Sequence, residues 1–162
     1  MPVKELKQFL DENNIKYVTV THSTAYTAQE VAALTHTKGK DFAKTVMVML
    51  DGMLAMTVVP ASYQVDMSRL KEGSRANTVA LASESEFRTR FPGCETGAMS
   101  PFGNLFDMEV FVDESLTKDL EITFNAGSHN ELIRLPYEDF ERLVKPKVLK
   151  FAVRMPGAHT AP

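Results

Sequence analysis

The 162-residue chain has a single cysteine, Cys94, and no apolar run approaching the length a membrane helix needs, roughly 20 residues. One thiol excludes an internal disulfide framework and any multi-cysteine zinc site. The four histidines, His22, His36, His129 and His159, show no metal-ligand spacing, so neither a metal nor any other cofactor is expected. The opening Met1-Pro2-Val3-Lys4-Glu5 carries no apolar signal core, which points to the cytoplasm and away from a membrane partner. No segment repeats at a period of about 20–50 residues, and no Gly/Ser- or Pro-rich linker divides the chain. One domain over residues 1–162 follows, with its core at about 3–145 and a C-terminal extension at 146–162. An excess of one charge is also missing. Eighteen basic against 21 acidic side chains give a net charge of -3, which argues against DNA or a general nucleic-acid coat as partner. From Lys145 onward, however, Lys145, Lys147, Lys150 and Arg154 meet no acid, so this stretch carries +4 and the remainder -7. It reads either as a solvated extension or as a phosphate-attracting patch.

What is present is a soluble-domain composition, 44% hydrophobic and 24% charged, with a readable order of elements. Leu6, Phe9 and Leu10 recur at helical spacing within residues 3–14, and Asn13-Asn14 reads as the stop. Residues 17–21 form a β-branched run, hence a strand. Thr27-Ala28-Gln29-Glu30 is a capping box that should open a helix through Val31 and Leu34. The clearest local signal follows: apolar runs at 46–50 and 53–59 flank Asp51-Gly52, a pair that tolerates positive φ at both turn positions and so predicts a tight hairpin. Pro60 ends the second run, because it cannot donate to a ladder. Asp66 can cap a short helix through Leu70, and residues 77–82 read as a strand. Ser83-Glu84-Ser85-Glu86 is a second capping box, with Pro92-Gly93 as the stop. A loop at 93–107 leads to strands at 108–112, 121–125 and 132–135 and a helix at 137–144. Short strands joined by hairpins and interrupted by helices predict an α+β fold around a mixed, curled sheet.

Lys44 is the most informative residue for chemistry. In Phe42-Ala43-Lys44-Thr45-Val46-Met47-Val48 it shares a face with Phe42, Val46, Val48 and Leu50. An ammonium there either snorkels into water from a strand that starts later, or stands in a pocket as a strong donor with a lowered pKa. The segment Gly93-Cys94-Glu95-Thr96-Gly97-Ala98-Met99-Ser100-Pro101-Phe102-Gly103 is either an irregular connection or a loop whose backbone N–H groups meet a carbonyl or phosphate oxygen. It lacks the Gly-Lys-Ser/Thr of a P-loop, and nothing matches the dinucleotide fingerprint. Asn125-Ala126-Gly127-Ser128-His129, between two strands, reads as a plain turn or a second small-residue wall. Cys94 is an apolar filler or a nucleophile with His22 or His129 as base. Ser100 lacks the Gly-x-Ser-x-Gly context of a hydrolase elbow.

Taken in order, His22 with Thr27, Lys44-Thr45 opening a hairpin, Gly97-Ala98-Met99-Ser100-Pro101-Phe102-Gly103, Val112-Asp113 and Asn125-Ala126-Gly127 form a pattern. It resembles the YbaK/EbsC family, the free-standing relatives of the editing domain inserted in bacterial prolyl-tRNA synthetase. The likeness spans about residues 3–145. It implies a barrel-like α+β domain that hydrolyses the ester of mischarged aminoacyl-tRNA without a metal or a protein nucleophile. The partners it implies are the acceptor end of aminoacyl-tRNA and an aminoacyl-tRNA synthetase. Carried over residue by residue, Lys44 is the catalytic position. His22, Thr45, Gly97, Ala98, Met99, Ser100, Pro101, Gly103, Asn125, Gly127 and His129 surround the substrate. The best-known branch removes cysteine from tRNA for proline, and this chain departs from it at Val20, at Gly97-Ala98 and at residues 125–130. The implied substrate is thus a small amino acid (alanine, serine, threonine or cysteine), since such pockets separate analogues by only about 1–3 kcal/mol per methylene. A non-catalytic module binding an aminoacyl-nucleotide or tRNA end, or a synthetase-associated partner protein, is the alternative.

Overall fold

A computed structural model describes residues 2–21, 42–91 and 94–154. The chain runs α1 (Pro2–Glu12), β1 (Val18–Thr21), β2 (Ala43–Leu50), β3 (Met53–Pro60), β4 (Tyr63–Val65), α2 (Met67–Ser74) and β5 (Val79–Leu81). It continues through α3 (Glu84–Phe87), β6 (Val110–Asp113), β7 (Glu121–Ser128), β8 (Glu131–Pro136), α4 (Tyr137–Val144), β9 (Lys147–Leu149) and β10 (Ala152–Arg154). The capping box at Thr27 with its helix, and the Pro92-Gly93 stop, lie outside the described residues.

The predicted hairpin is the centre of the fold. β2 and β3 pair antiparallel from Ala43 with Pro60 to Leu50 with Met53. Asp51 (φ 50°) and Gly52 (φ 82°) both adopt the left-handed backbone this turn requires. β5 adds antiparallel to β2, while β6 and then β9 add in parallel beyond β3, giving a mixed sheet in the order β5-β2-β3-β6-β9. β1, β8 and β7 form a second, antiparallel sheet, and β4 with β10 a two-stranded ribbon. A parallel bridge from Phe42 to Thr123 links the start of β2 to β7, so the two larger sheets meet edge to edge. This is the mixed α+β architecture the element order predicts.

Alternation along β2 divides its side chains between two cores. Ala43 and Met47 join the main core, with Val58, Phe102, Phe124 and Phe140. Val48 joins a second core with Val59, Leu70, Phe111 and Phe151, against which Val46 and Leu50 pack. Phe42 forms a third, small cluster with Ala61 and Leu132. Among the described residues no helix is long and apolar enough to cross a membrane.

Several expected boundaries move. α2 runs to Ser74 rather than Leu70: Asp66 caps it by accepting from the Arg69 N–H, and Arg75 at φ 62° closes it. The Ser83 capping box is present, but the helix ends at Phe87 and tightens into a 3-10 turn over Arg88–Arg90. That turn brings Phe91 to 4.5 Å from Phe106, centroid to centroid. The stretch read as an extension beyond residue 145 is built, as far as Arg154, into the mixed sheet through β9 and into the two-stranded ribbon through β10. Its Phe151 is fully buried, and its backbone is held by Asp113, whose Oδ1 accepts from Phe151 N at 2.9 Å and Ala152 N at 2.8 Å. Buried apolar side chains and a buried carboxylate outweigh the charge pattern that suggested solvent.

Candidate active site

β2 starts at Ala43, so Lys44 is its second residue and lies inside the ladder, paired with Val59. Alternation gives it the same face as Phe42, Val46 and Val48, at the boundary between the Phe42 cluster and the Val48 core. The side chain is half-buried, and burial pulls its pKa below the ordinary lysine value. Of the two sequence alternatives, the snorkelling lysine ahead of the strand is therefore not the one observed.

The Phe42–Thr123 bridge brings a second residue to this place. Continued two residues in parallel register, it sets Lys44 alongside Asn125, both on the face of Phe42 and Thr123. Across the antiparallel β7–β8 ladder Asn125 pairs with Leu132 of the Phe42 cluster. Asn125 is only 7% exposed. Its Oδ1 is buried without a hydrogen-bond partner; Oγ1 of Thr45 is too, but on the opposite face of β2, toward the main core. Buried polar atoms left unpaired are costly and rare, about 1–3 kcal/mol each, and mark places where a ligand or water completes the network.

Beyond Asn125 the ladder slips. Asn125 faces Leu132 but Ser128 faces Glu131, leaving Ala126 and Gly127 in a bulge that needs the positive φ (108°) of Gly127. The 125–129 segment is accordingly a bulged strand end, not a plain turn. The bulge is the anchor for the small-residue loop: Glu95 N donates to Gly127 O at 2.8 Å, and Gly127 N donates to Ala98 O at 2.9 Å. His129 closes the other side. Its backbone N–H donates to Glu95 Oε2 at 3.2 Å, and its ring Nε2 lies 2.8 Å from Thr96 O. Gly97, at φ 86°, passes so close that a Cβ there would stand 3.5 Å from His129 Cε1.

The loop is half wall and half plug. Ala98 and Phe102 are fully buried and Met99, Ser100, Pro101 and Gly103 are buried. Glu95, Thr96 and Gly97 remain exposed. Phe102 sits among Phe9, Phe124 and Phe140, which fixes the loop's far end. Gly103 has a packing role: a Cβ there would collide with Val110 Cγ2 and stand 3.0 Å from Met108 O.

Thus Gly127, His129 and residues 95–98 are tied together, Asn125 opens the same bulge, and Lys44 stands on the strand that the Phe42–Thr123 bridge joins to β7. Thr45 faces the main core on the other side of β2, and Gly103 is packed against Val110 and Met108. His22 is outside the described residues. Cys94 is half-buried, and burial, reinforced by the charge of Glu5, raises its thiol to about 11. Glu95, which ties the loop to His129, escaped sequence reasoning; only its place between Cys94 and Gly97 signals it. Two open clefts of about 310 and 420 Å³ flank the hairpin turn at the opposite end of the sheet, lined by Met53, Leu54 and Asp107 among others, and neither includes Lys44 or residues 95–103.

A family model described as an aminoacyl-tRNA editing domain matches residues 22–143. The chain is 25% identical over 143 residues to the prolyl-tRNA editing protein ProX of Acetoanaerobium sticklandii, covering 84% of this chain and 86% of that protein. It is 29% identical over 133 residues to the proline–tRNA ligase of Dehalococcoides mccartyi, covering 82% of this chain but only 22% of the ligase. A crystal structure of a candidate trans-editing enzyme for prolyl tRNA synthetase superposes with a TM-score of 0.79 at 18% identity, over 94% of this chain and 97% of that one.

Proposed function

The chain belongs to the aminoacyl-tRNA editing domain family, and on that premise we propose that it hydrolyses mischarged aminoacyl-tRNA of the prolyl type, freeing a small amino acid. Lys44 beside Asn125 carries this reading. A half-buried cation stands in register with Asn125, whose buried Oδ1 lacks a partner, and Asn125 leads into the bulge that anchors the small-residue loop.

In the proposed reaction a water oxygen bonds to the ester carbonyl carbon, and negative charge gathers on the carbonyl oxygen. The bond to the ribose oxygen then breaks; one proton of the attacking water ends on that oxygen, restoring the hydroxyl, and the other goes to solvent as the freed amino acid leaves as its carboxylate. Lys44 supplies a fixed positive charge to the developing oxyanion, and the pre-set geometry of the cleft holds the ester and water in place. The lowered pKa of Lys44 strengthens it as a proton donor. Asn125 Oδ1 accepts from the α-ammonium or a ribose hydroxyl of the substrate. Loop residues 97–101 bound the amino-acid side chain. The reaction uses neither a metal nor a protein nucleophile.

Incubating the protein with tRNAs mischarged with alanine, serine, threonine and cysteine, and measuring released amino acid with and without a chelator, tests the proposal. Release of at least one amino acid, undiminished by chelation, supports it. Binding of tRNA without turnover on any substrate would instead make the domain a binding module.

A further inference from the structure

The deacylation step leaves one basic feature unused, and the fold puts it at the Lys44 end of the sheet. We propose that Tyr63, Lys150 and Arg154 form a seat for single-stranded RNA, holding the nucleotides that precede the terminal one at Lys44. This rests on the reading of the site as one that receives an RNA 3′ end.

The placement follows from register. Ala61 N donates to Phe42 O at 2.8 Å, and Tyr63 is two residues further on, so its Cα lies within about 7 Å of Ala61. Arg154 pairs with Tyr63 across the β4–β10 ribbon, and its guanidinium lies 6.0 Å from the Tyr63 ring centroid. From the other side, Lys44 pairs with Val59, Val58 with Val112, and Asp113 with Leu149. Lys44, Val59, Asp113 and Leu149 therefore form one row across four strands. Three steps of about 4.8 Å put Leu149 about 14 Å from Lys44, and Lys150 is the next residue.

The seat is rigid. Asp113 holds the backbone at Phe151 and Ala152, between the two cations, and Phe151 is fully buried. A tyrosine ring with an adjacent guanidinium offers a base a stacking surface, and a neighbouring lysine meets the phosphate. No acid occurs in residues 145–154 or in β4. Of the acids on adjoining elements, Asp66 caps α2 and lies 3.9 Å from Arg69, and Glu114 follows Asp113. Of the large exposed apolar side chains, Val18, Met53, Leu81 and Leu120 stand on other elements and Val148 on β9, so the β4–β10 ribbon itself presents charge and one ring, which fits RNA better than an apolar protein surface.

The test compares wild type with Lys150→Glu/Arg154→Glu, Lys150→Gln/Arg154→Gln and Tyr63→Leu, all checked for unchanged thermal unfolding. Kinetics on mischarged tRNA are set against kinetics on an aminoacyl-adenosine, which lacks the preceding nucleotides. The expected result is a tenfold or greater rise in KM for tRNA in the Glu pair, a smaller rise in the Gln pair and in Tyr63→Leu, and unchanged kcat. The salt dependence of binding to a short single-stranded RNA ending in CCA should weaken by about two charges, while aminoacyl-adenosine turnover stays at wild-type rate. An unchanged KM and salt slope overturns the proposal, as does a KM effect seen only when a synthetase is added, which would make the ribbon a protein-docking surface. If wild type hydrolyses nothing yet loses RNA binding on these substitutions, the deacylase reading falls and the seat stands.

Discussion

His129 Nε2 lies 2.8 Å from the carbonyl oxygen of Thr96. A carbonyl can only accept, so this nitrogen carries the hydrogen, and the ring is a clasp between the β7–β8 turn and the loop. The backbone N–H of the same residue reaches the Glu95 carboxylate, so two bonds from one buried residue set the position of Gly97. His129→Ala should cost about 1–2 kcal/mol of stability. It should also raise KM and blunt discrimination among small amino acids more than it lowers kcat. His129→Gln, which keeps an N–H at similar reach, should recover much of the discrimination. Steady-state kinetics on the mischarged-tRNA panel separate this from a purely structural effect, which would lower active protein without moving the ratio between substrates.

Lys44→Ala and Lys44→Met should each lower deacylation at least about 100-fold, with circular dichroism unchanged. Stability should move the other way. Burial lowers the Lys44 pKa, so the folded state gives up this proton before the unfolded chain does. The burial penalty is then full at neutral pH and is relieved as pH rises toward the usual lysine range. Lys44→Met is expected to hold or raise Tm at pH 7, with the gap to wild type closing as pH increases. Retained hydrolysis in either folded variant would refute the catalytic assignment.

Cys94, with its thiol raised from 9.0 to about 11 by burial and the charge of Glu5, should be nearly inert to iodoacetamide at pH 7–8 in the folded protein. Cys94→Ser should leave turnover within about twofold of wild type, because thiolate chemistry is suppressed. The linkage sign is that of a raised acid: the unfolded chain loses the proton first. The contribution is complete below about pH 9 and is lost between there and about 11. The serine variant should therefore show a flatter alkaline decline in stability.

Asp113 accepts four hydrogen bonds, two at Oδ1 from Phe151 N and Ala152 N and two at Oδ2 from Ser115 N and Oγ. Asp113→Ala should cost at least about 3 kcal/mol, since charged acceptors are worth about 1.5–3 kcal/mol each and buried donors would be left unpaired. Hydrogen exchange should show the loss first at residues 147–154. Gly103→Ala, forced against Val110 and Met108 O, should cost about 1–3 kcal/mol by overpacking, read as a fall in the denaturant midpoint with unchanged slope.

Where the chemistry is local, these features could be read from residues alone. The Asp51-Gly52 turn, the Asp66 and Ser83 caps, and the helix at 137–144 each depend on a few neighbouring backbone atoms, and each stands where the sequence put it. β4 and β10 were not legible, because three-residue strands are too short to carry a period. Beyond Lys145 the cations are visible in sequence, whereas the packing of residues 147–154 is not, because the buried Phe151 and the carboxylate that holds it belong to different elements.

The parity of Lys44 on an apolar face, the run of small residues at 97–103 and the absence of other plausible nucleophile contexts were properties of the chain itself, since alternation and backbone freedom are set residue by residue. That Asn125 stands next to Lys44, that Thr96 meets His129, and that Lys150 and Arg154 come round to the same end of the sheet were decided only by long-range strand pairing. Such pairings leave no mark in a short window of sequence. They exist because burying Phe42, Phe124 and Phe151 closes the sheets on one another and carries the polar groups along.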